Sequence, residues 1–262
     1  MLLAQVKPKV ARWQEPMNES RKQPEFDDLL ILAQAVKHDL EGRIGAQASG
    51  RPQWVTTVDA RASCLQSLWN VLRHAELSLV YIARHLGEAG WWAALRQGVP
   101  PIRQVAFEFT AYSQCSKFAT FHLALSAVEN SHRSFLRALA PTAANGARAE
   151  FKSVCECLFR THLGMQERDL ALLDLLRLIR NTIHNEGVHR PRDSKPLTLT
   201  LDGVGYEFQD GVPIEFVTWR FVLDRLRDLV DVQDRAVRRP ALWDLTAHIP
   251  DASAEVLPRP AT

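Results

Sequence analysis

The chain has 262 residues, of which 46% are hydrophobic and 24% are charged. These fractions lie near the averages of soluble globular proteins and exclude a disordered chain, a collagen-like repeat and a coiled-coil rod. The net charge is only +2, so nucleic-acid binding would need a local basic patch rather than a positive field over the whole molecule.

The cysteine pattern and the hydropathy predict a cytoplasmic protein. The four cysteines lie in stretches predicted to be helical, which favours reduced thiols. Cys155 and Cys157, with His162 nearby, are spaced too closely for a usual zinc site, so we predict neither a metal nor another cofactor. No stretch approaches the ~18 uninterrupted apolar residues of a membrane span, and the opening segment is too short for a secretory signal.

The first 101 residues predict a mobile tail (1–24) followed by an N-terminal helical region (25–101). Apolar residues recur at helical spacing from Phe26 to about Ile44, before a break in the sequence GAQASGRP. Asp59 can cap a longer helix that ends near Gly87. A short segment starting at Trp91 must end before Pro100 and Pro101, where we place the domain boundary.

Residues 102–245 predict a helical bundle interrupted by a β-meander at 196–216. Residues 102–139 contain no helix breaker and predict one long helix, and further helices are expected at 148–163, 167–185 and 217–237. Three alternating segments, 197–201, 204–208 and 212–216, surround two Asp-Gly turns, and Pro213 makes the last strand an edge. A mobile tail is expected at 246–262. The fold class is therefore mainly α.

The helix at 167–185 carries the most informative residues. On a helical wheel its apolar residues form one buried stripe, made of Leu172, Leu176, Ile179 and Ile183. Arg177, Arg180 and His184 lie together on one flank of that stripe. The sequence therefore predicts a compact basic cluster at the end of this helix.

The segment RNTIHNEG, residues 180–187, resembles the RN-x-x-HN-x-G pattern of HEPN-like bacterial proteins. The resemblance covers about residues 102–240 and implies a HEPN-like helical bundle, here with an inserted β-meander and an N-terminal helical extension. The family motif places four to six residues between Arg and His. Three residues separate Arg180 from His184 and six separate Arg177 from it, so the choice of arginine stays open.

The resemblance implies a metal-independent endoribonuclease of the toxin or phage-defence kind, acting at the interface of two bundles. His184 would transfer protons, Arg180 backed by Arg177 would bind the phosphate, and Asn181 would orient the substrate. A basic loop follows and is suited to RNA binding; it contains His189, Arg190, Arg192 and Lys195. The expected partners are RNA, a second copy of the chain and an antitoxin or another defence protein, without a membrane.

Two other functions fit the same residues. A non-catalytic HEPN-like module that binds RNA, a nucleotide or a protein would need only the basic loop. A purely structural dimerisation bundle would hold Arg180 and His184 in internal hydrogen bonds. On the long helix, Glu129 and Arg133 are expected to form a solvated pair, with the motif helix as the alternative neighbour, and His122 is expected in the core or at its boundary.

The chemistry of RNA cleavage predicts a homodimer. One Arg/His pair per chain offers one imidazole, whereas cleavage by a 2′-hydroxyl needs one group to accept a proton and another to donate one. Two-fold pairing would bring a second motif into the same cleft, with residues 118–133 of the long helix as the expected neighbour.

Overall fold

The computed structural model describes residues 24–96, 98, 101–143, 150–184, 188–190 and 196–251. The helices are α1 (Pro24–Gly50), α2 (Pro52–Thr56), α3 (Ala60–Tyr81), α4 (Ala89–Arg96), α5 (Ile102–Leu139), α6 (Phe151–Glu156), α7 (Glu167–His184), α8 (Trp219–Val237) and α9 (Pro240–Trp243). π-Helical turns, Ile82–Leu86 and Cys157–Leu163, extend α3 and α6. The strands are β1 (Leu197–Leu201) and β2 (Val204–Phe208). The mainly α fold class is confirmed.

The long helix α5 has the bounds that the sequence predicts. It begins after Pro101 and runs for 38 residues without a glycine or proline. It ends at Leu139, two residues before Pro141, which cannot continue a helix. At about 1.5 Å per residue, α5 is roughly 57 Å long and is the central element of the fold.

One continuous hydrophobic core joins the N-terminal helices to the rest of the chain. Helices α1, α3, α5 and α8 pack on one another, and α7 lies on α5 between α6 and the β-hairpin. Phe26 of α1 meets Phe109 of α5 edge to face, with ring centroids 5.7 Å apart. The boundary predicted near residues 98–101 therefore does not separate two cores.

Helix α1 extends past its predicted end near Ile44 to Gly50. Gly42 and Gly45 do not break it, because tertiary contacts hold its last turns in place. The buried side chain of Gln47 donates a hydrogen bond of 2.8 Å to the carbonyl oxygen of Arg61 in α3. A local propensity argument cannot see this contact.

The predicted β-meander is a two-stranded hairpin. β1 and β2 pair antiparallel around Asp202 and Gly203, whose φ angles of 52° and 79° suit the tight turn of a hairpin. The expected third strand at 212–216 does not form. Within the described residues, that segment makes only an isolated bridge between Pro213 and Val188, because proline has no backbone N–H to donate to a strand partner.

The start of the predicted C-terminal tail is packed against the core. Ile249 is buried, and its backbone exchanges hydrogen bonds with Asp59 and Ala60 at the start of α3. Arg61 is also buried and donates to the carbonyl oxygens of Leu242, Leu245 and Ala247 at 2.6–2.9 Å. Residues 246–251 therefore belong to the fold. The other parts of the predicted tails, 1–23 and 252–262, lie outside the described residues.

Candidate functional site

Helix α7 buries the apolar stripe that the wheel predicts. Leu172, Leu176 and Ile179 are buried, and the neighbouring Ile183 is half-buried. His184 is exposed in the last turn of the helix. The apolar stripe thus fixes the rotation of α7 and leaves the basic flank at the edge of its packing with α5.

Arg180 contacts α5 through Glu129. Its Nη1 atom donates to Oε2 of Glu129, and Arg133 donates to Oε1 of the same carboxylate through Nε at 3.1 Å and Nη2 at 2.6 Å. The side chain of Arg180 is 27% exposed and that of Glu129 is 16% exposed. Glu129 therefore faces the motif helix and is not a purely solvated partner of Arg133.

His184 packs against a second histidine, His122 of α5. The two ring centroids are 5.4 Å apart, and the rings are almost perpendicular at 89°. His122 is half-buried, at the core boundary that the sequence predicts. Burial, together with the positive charge of Arg180 and the neighbouring His184, lowers the pKa of His122, and Glu129 opposes this shift.

Arg177 lies apart from the other basic motif residues. Its guanidinium donates to Asp174 through Nε at 2.9 Å and Nη2 at 2.7 Å. This pair lines a cavity of about 270 Å³ between α6, α7 and β1. Seven residues of helix place the backbone of Arg177 about 10 Å from that of His184. Of the two arginines, Arg180 is therefore the one beside the imidazole.

The other predicted site residues are separated by the structure. Asn181 is exposed on α7, and Arg190 is exposed beyond it. His189 is buried, with its ring 5.3 Å from that of Phe208, because backbone hydrogen bonds to Val212 and Gly211 hold this segment against the hairpin. Its imidazole is therefore not presented to a phosphate in solution, contrary to the expected role. Arg192 and Lys195 lie outside the described residues.

The arrangement meets some requirements of each function considered above. Arg180 and His184 both lie near His122, as a nuclease site requires, and His184 is exposed. Arg180 is held by an internal ion pair, as a structural role requires. No His, Cys, Asp or Glu cluster in the described part of the chain is arranged to hold a metal ion. The side chains that converge here can transfer protons and bind an anion.

The sequence signals for this site were incomplete. The i,i+4 spacing of Glu129 and Arg133 shows that they share a face of α5, but it does not show which helix that face meets. His122 precedes Glu129 by two helical turns and shares that side of α5. Only the packing register of α5 on α7 brings His122 to His184.

Comparisons with known proteins give no relative for this chain: no family model, no curated protein and no solved structure matches it. Among the described helices, none combines the length and hydropathy needed to cross a bilayer.

Proposed function

We propose that the protein is a HEPN-like, metal-independent endoribonuclease of the toxin or phage-defence type. The observation that carries this proposal is that Arg180 and exposed His184, one turn apart on α7, both lie near His122 of α5. An imidazole can move the protons of a ribose 2′-hydroxyl and a leaving oxygen. A guanidinium stabilises the charge that grows on the phosphate oxygens in the transition state.

The contacts support distinct roles for the two arginines. Arg180, one turn from His184, binds the scissile phosphate. Arg177 forms an ion pair with Asp174 at 2.7 Å beside a separate cavity. It contributes only to the electrostatic potential at the site and does not contact the phosphate. Asn181 is exposed on the same helix, where it can orient a ribose or base by hydrogen bonds.

Cleavage of a mixed RNA pool in the presence of EDTA tests the proposal. We expect the wild-type protein to produce fragments with 2′,3′-cyclic phosphate ends, and Arg180→Ala/His184→Ala to be inactive. The matched control is Arg227→Ala/His38→Ala, which removes an arginine and a histidine from exposed positions on α8 and α1. Equal cleavage by both double variants, or no cleavage by the wild type, would contradict the proposal.

A second candidate function is supported by the ion pair between Arg180 and Glu129. This carboxylate binds the guanidinium that a phosphate would need. A non-catalytic HEPN-like module would then bind RNA, a nucleotide or a protein partner through the basic loop, where Arg190 is exposed. Such a module would bind labelled RNA without cutting it, and Arg180→Ala/His184→Ala would bind as tightly as the wild type.

We also propose that the protein forms a homodimer and that an antitoxin or another defence protein controls it. The exposed side of α5 next to the candidate site supports the dimer. Leu123, which follows His122 directly, is 48% exposed. An isologous pairing of this face would bring two candidate sites close to one two-fold axis.

A further inference from the structure

We infer that His122 is a second catalytic residue and that His122 and His184 of one chain form the acid-base pair of the site. This inference rests on the proposed ribonuclease function and extends it to a residue outside the motif. It is carried by the packing of α5 on α7, which places the two imidazole rings 5.4 Å apart and almost perpendicular.

Within the described part of the chain, the ring nitrogens of His122 and His184 are available for substrate. Among the described residues, no hydrogen bond engages the ring nitrogens of His122 or His184. The histidine nitrogens that are both buried and without a partner belong, in the same part of the chain, to His132 and His189. The nitrogens of His122 and His184 are therefore not shut off from solvent by burial. His122 is half-buried and His184 is exposed, so the pair opens towards solvent on the side of His184.

The charged groups around His122 assign its role. Arg180 and His184 face it from α7, and Glu129 lies on its own helix. Because burial and the two α7 residues outweigh Glu129, the pKa of His122 is lowered and its imidazole is neutral near pH 7. A neutral imidazole is a proton acceptor. His122 is therefore the base of the pair and His184 the acid.

The proposed reaction balances with these two residues. His122 accepts the proton of the ribose 2′-hydroxyl, and the 2′-oxygen forms a bond to phosphorus. The bond between phosphorus and the 5′-oxygen breaks, and the leaving 5′-oxygen takes a proton from protonated His184. The products are a 2′,3′-cyclic phosphate and a 5′-hydroxyl, and exchange with water resets the two imidazoles. Arg180 compensates the charge on the non-bridging oxygens.

A within-chain pair changes what a second copy of the chain would contribute. The motif alone offers one imidazole per chain, which is why the sequence predicts that cleavage needs two motifs. With His122 in place, each chain holds both a proton acceptor and a proton donor. A homodimer would then have two complete sites, not one site shared by two chains.

The test compares single substitutions in the full-length protein. We expect His122→Ala and His184→Ala each to lower kcat by about 10²- to 10⁴-fold, the usual contribution of a general acid or base. His38→Ala, at a 91% exposed side chain on α1, is the matched control and should keep wild-type kcat. Circular dichroism and thermal unfolding identify any variant that fails to fold, and His122→Asn then replaces His122→Ala as the less disruptive change.

A pH profile separates a base from a structural residue. The acidic limb of kcat/KM reports the pKa of the base in the free enzyme. Glu129→Gln removes the negative charge that raises the pKa of His122, so the acidic limb should move to lower pH. An unchanged limb in Glu129→Gln would overturn the assignment of His122 as base.

Mixing two inactive variants tests whether the pair lies within one chain. His122→Ala mixed with His184→Ala should stay inactive, because neither chain then carries both imidazoles. Recovered cleavage on mixing, or wild-type kcat in His122→Ala, would overturn the inference and leave the proposed ribonuclease function intact. Absence of cleavage by the wild-type protein would overturn both.

Discussion

Glu129 reduces the positive charge with which the candidate site can bind an anion. Its carboxylate binds Arg180 on α7 and Arg133 on its own helix, and it also acts on the nearby imidazole of His122. A phosphate that binds Arg180 must compete with this carboxylate, because Nη1 of Arg180 is bound to Glu129 and Nε is buried. The geometry of the arginine fork therefore matters more here than its charge alone.

Arg180→Lys should damage the site more than Arg177→Lys. A lysine keeps the positive charge but cannot contact Glu129 and a phosphate through a planar fork. We expect kcat/KM for RNA cleavage to fall at least tenfold, roughly the value of one lost charge-assisted hydrogen bond. Arg177→Lys should stay near the wild-type value, because Arg177 is bound to Asp174. The reverse order in single-turnover assays would assign the phosphate to Arg177.

His132 of α5 predicts a pH-dependent stability that is independent of the site. It is fully buried near Cys155 and the ring of Phe159, and burial lowers its pKa from 6.5 to about 4. Between these pH values His132 is therefore protonated in the unfolded chain and neutral in the folded protein. The free energy of unfolding should fall as pH drops from about 6.5 to about 4, by on the order of 3 kcal/mol.

Urea denaturation at pH 7 and pH 4.5 measures this effect. His132→Leu should flatten the pH dependence, because a leucine binds no proton in either state. His38→Ala, exposed on α1, should keep the wild-type dependence. The same slope in His132→Leu and the wild type would show that other groups cause the acid sensitivity.

At the scale of elements, the sequence predicts helix ends and turns correctly where one residue type directly limits the backbone conformation or its hydrogen bonds. The absence of glycine and proline between Pro101 and Pro141 predicts the bounds of α5, and Asp202-Gly203 predicts the hairpin turn. Asp59 caps α3 as expected. The sequence could not give the partner of Glu129, the contact of His122 with His184 or the docking of Ile249, because each depends on how distant elements pack.

The segment after α7 predicts a change in the salt dependence of RNA binding. Arg190 is exposed, and we propose that it binds RNA phosphates together with Arg192 and Lys195. Neutralising all three should weaken binding and reduce the slope of log K against log salt by up to about 0.7 for each lost contact with single-stranded RNA. Filter binding at several salt concentrations measures the slope. An unchanged slope would show that these residues do not contact RNA phosphates.

At the scale of the whole molecule, the exposed face of α5 predicts self-association. Leu123→Glu places a charge on the exposed apolar side chain next to His122. In analytical ultracentrifugation at micromolar concentration, the wild type should sediment as a dimer and this variant as a monomer. Leu77→Glu, at a 57% exposed position on α3, is the control and should stay dimeric. A monomeric wild type would contradict the proposed homodimer.

The buried guanidinium of Arg61 lacks most of its hydrogen-bond acceptors until the C-terminal part of the chain has been synthesised. Its partner Asp59 is already present, but Leu242 follows Arg61 by 181 residues. At about 5 to 20 residues per second, a ribosome needs about 10 to 40 s to make the missing carbonyl partners. Until then the Arg61 guanidinium lacks these hydrogen-bond acceptors, and burying it would cost free energy. A nascent chain that stops before residue 242 should therefore stay open and bind chaperones, whereas release of the last turns closes the core around Arg61.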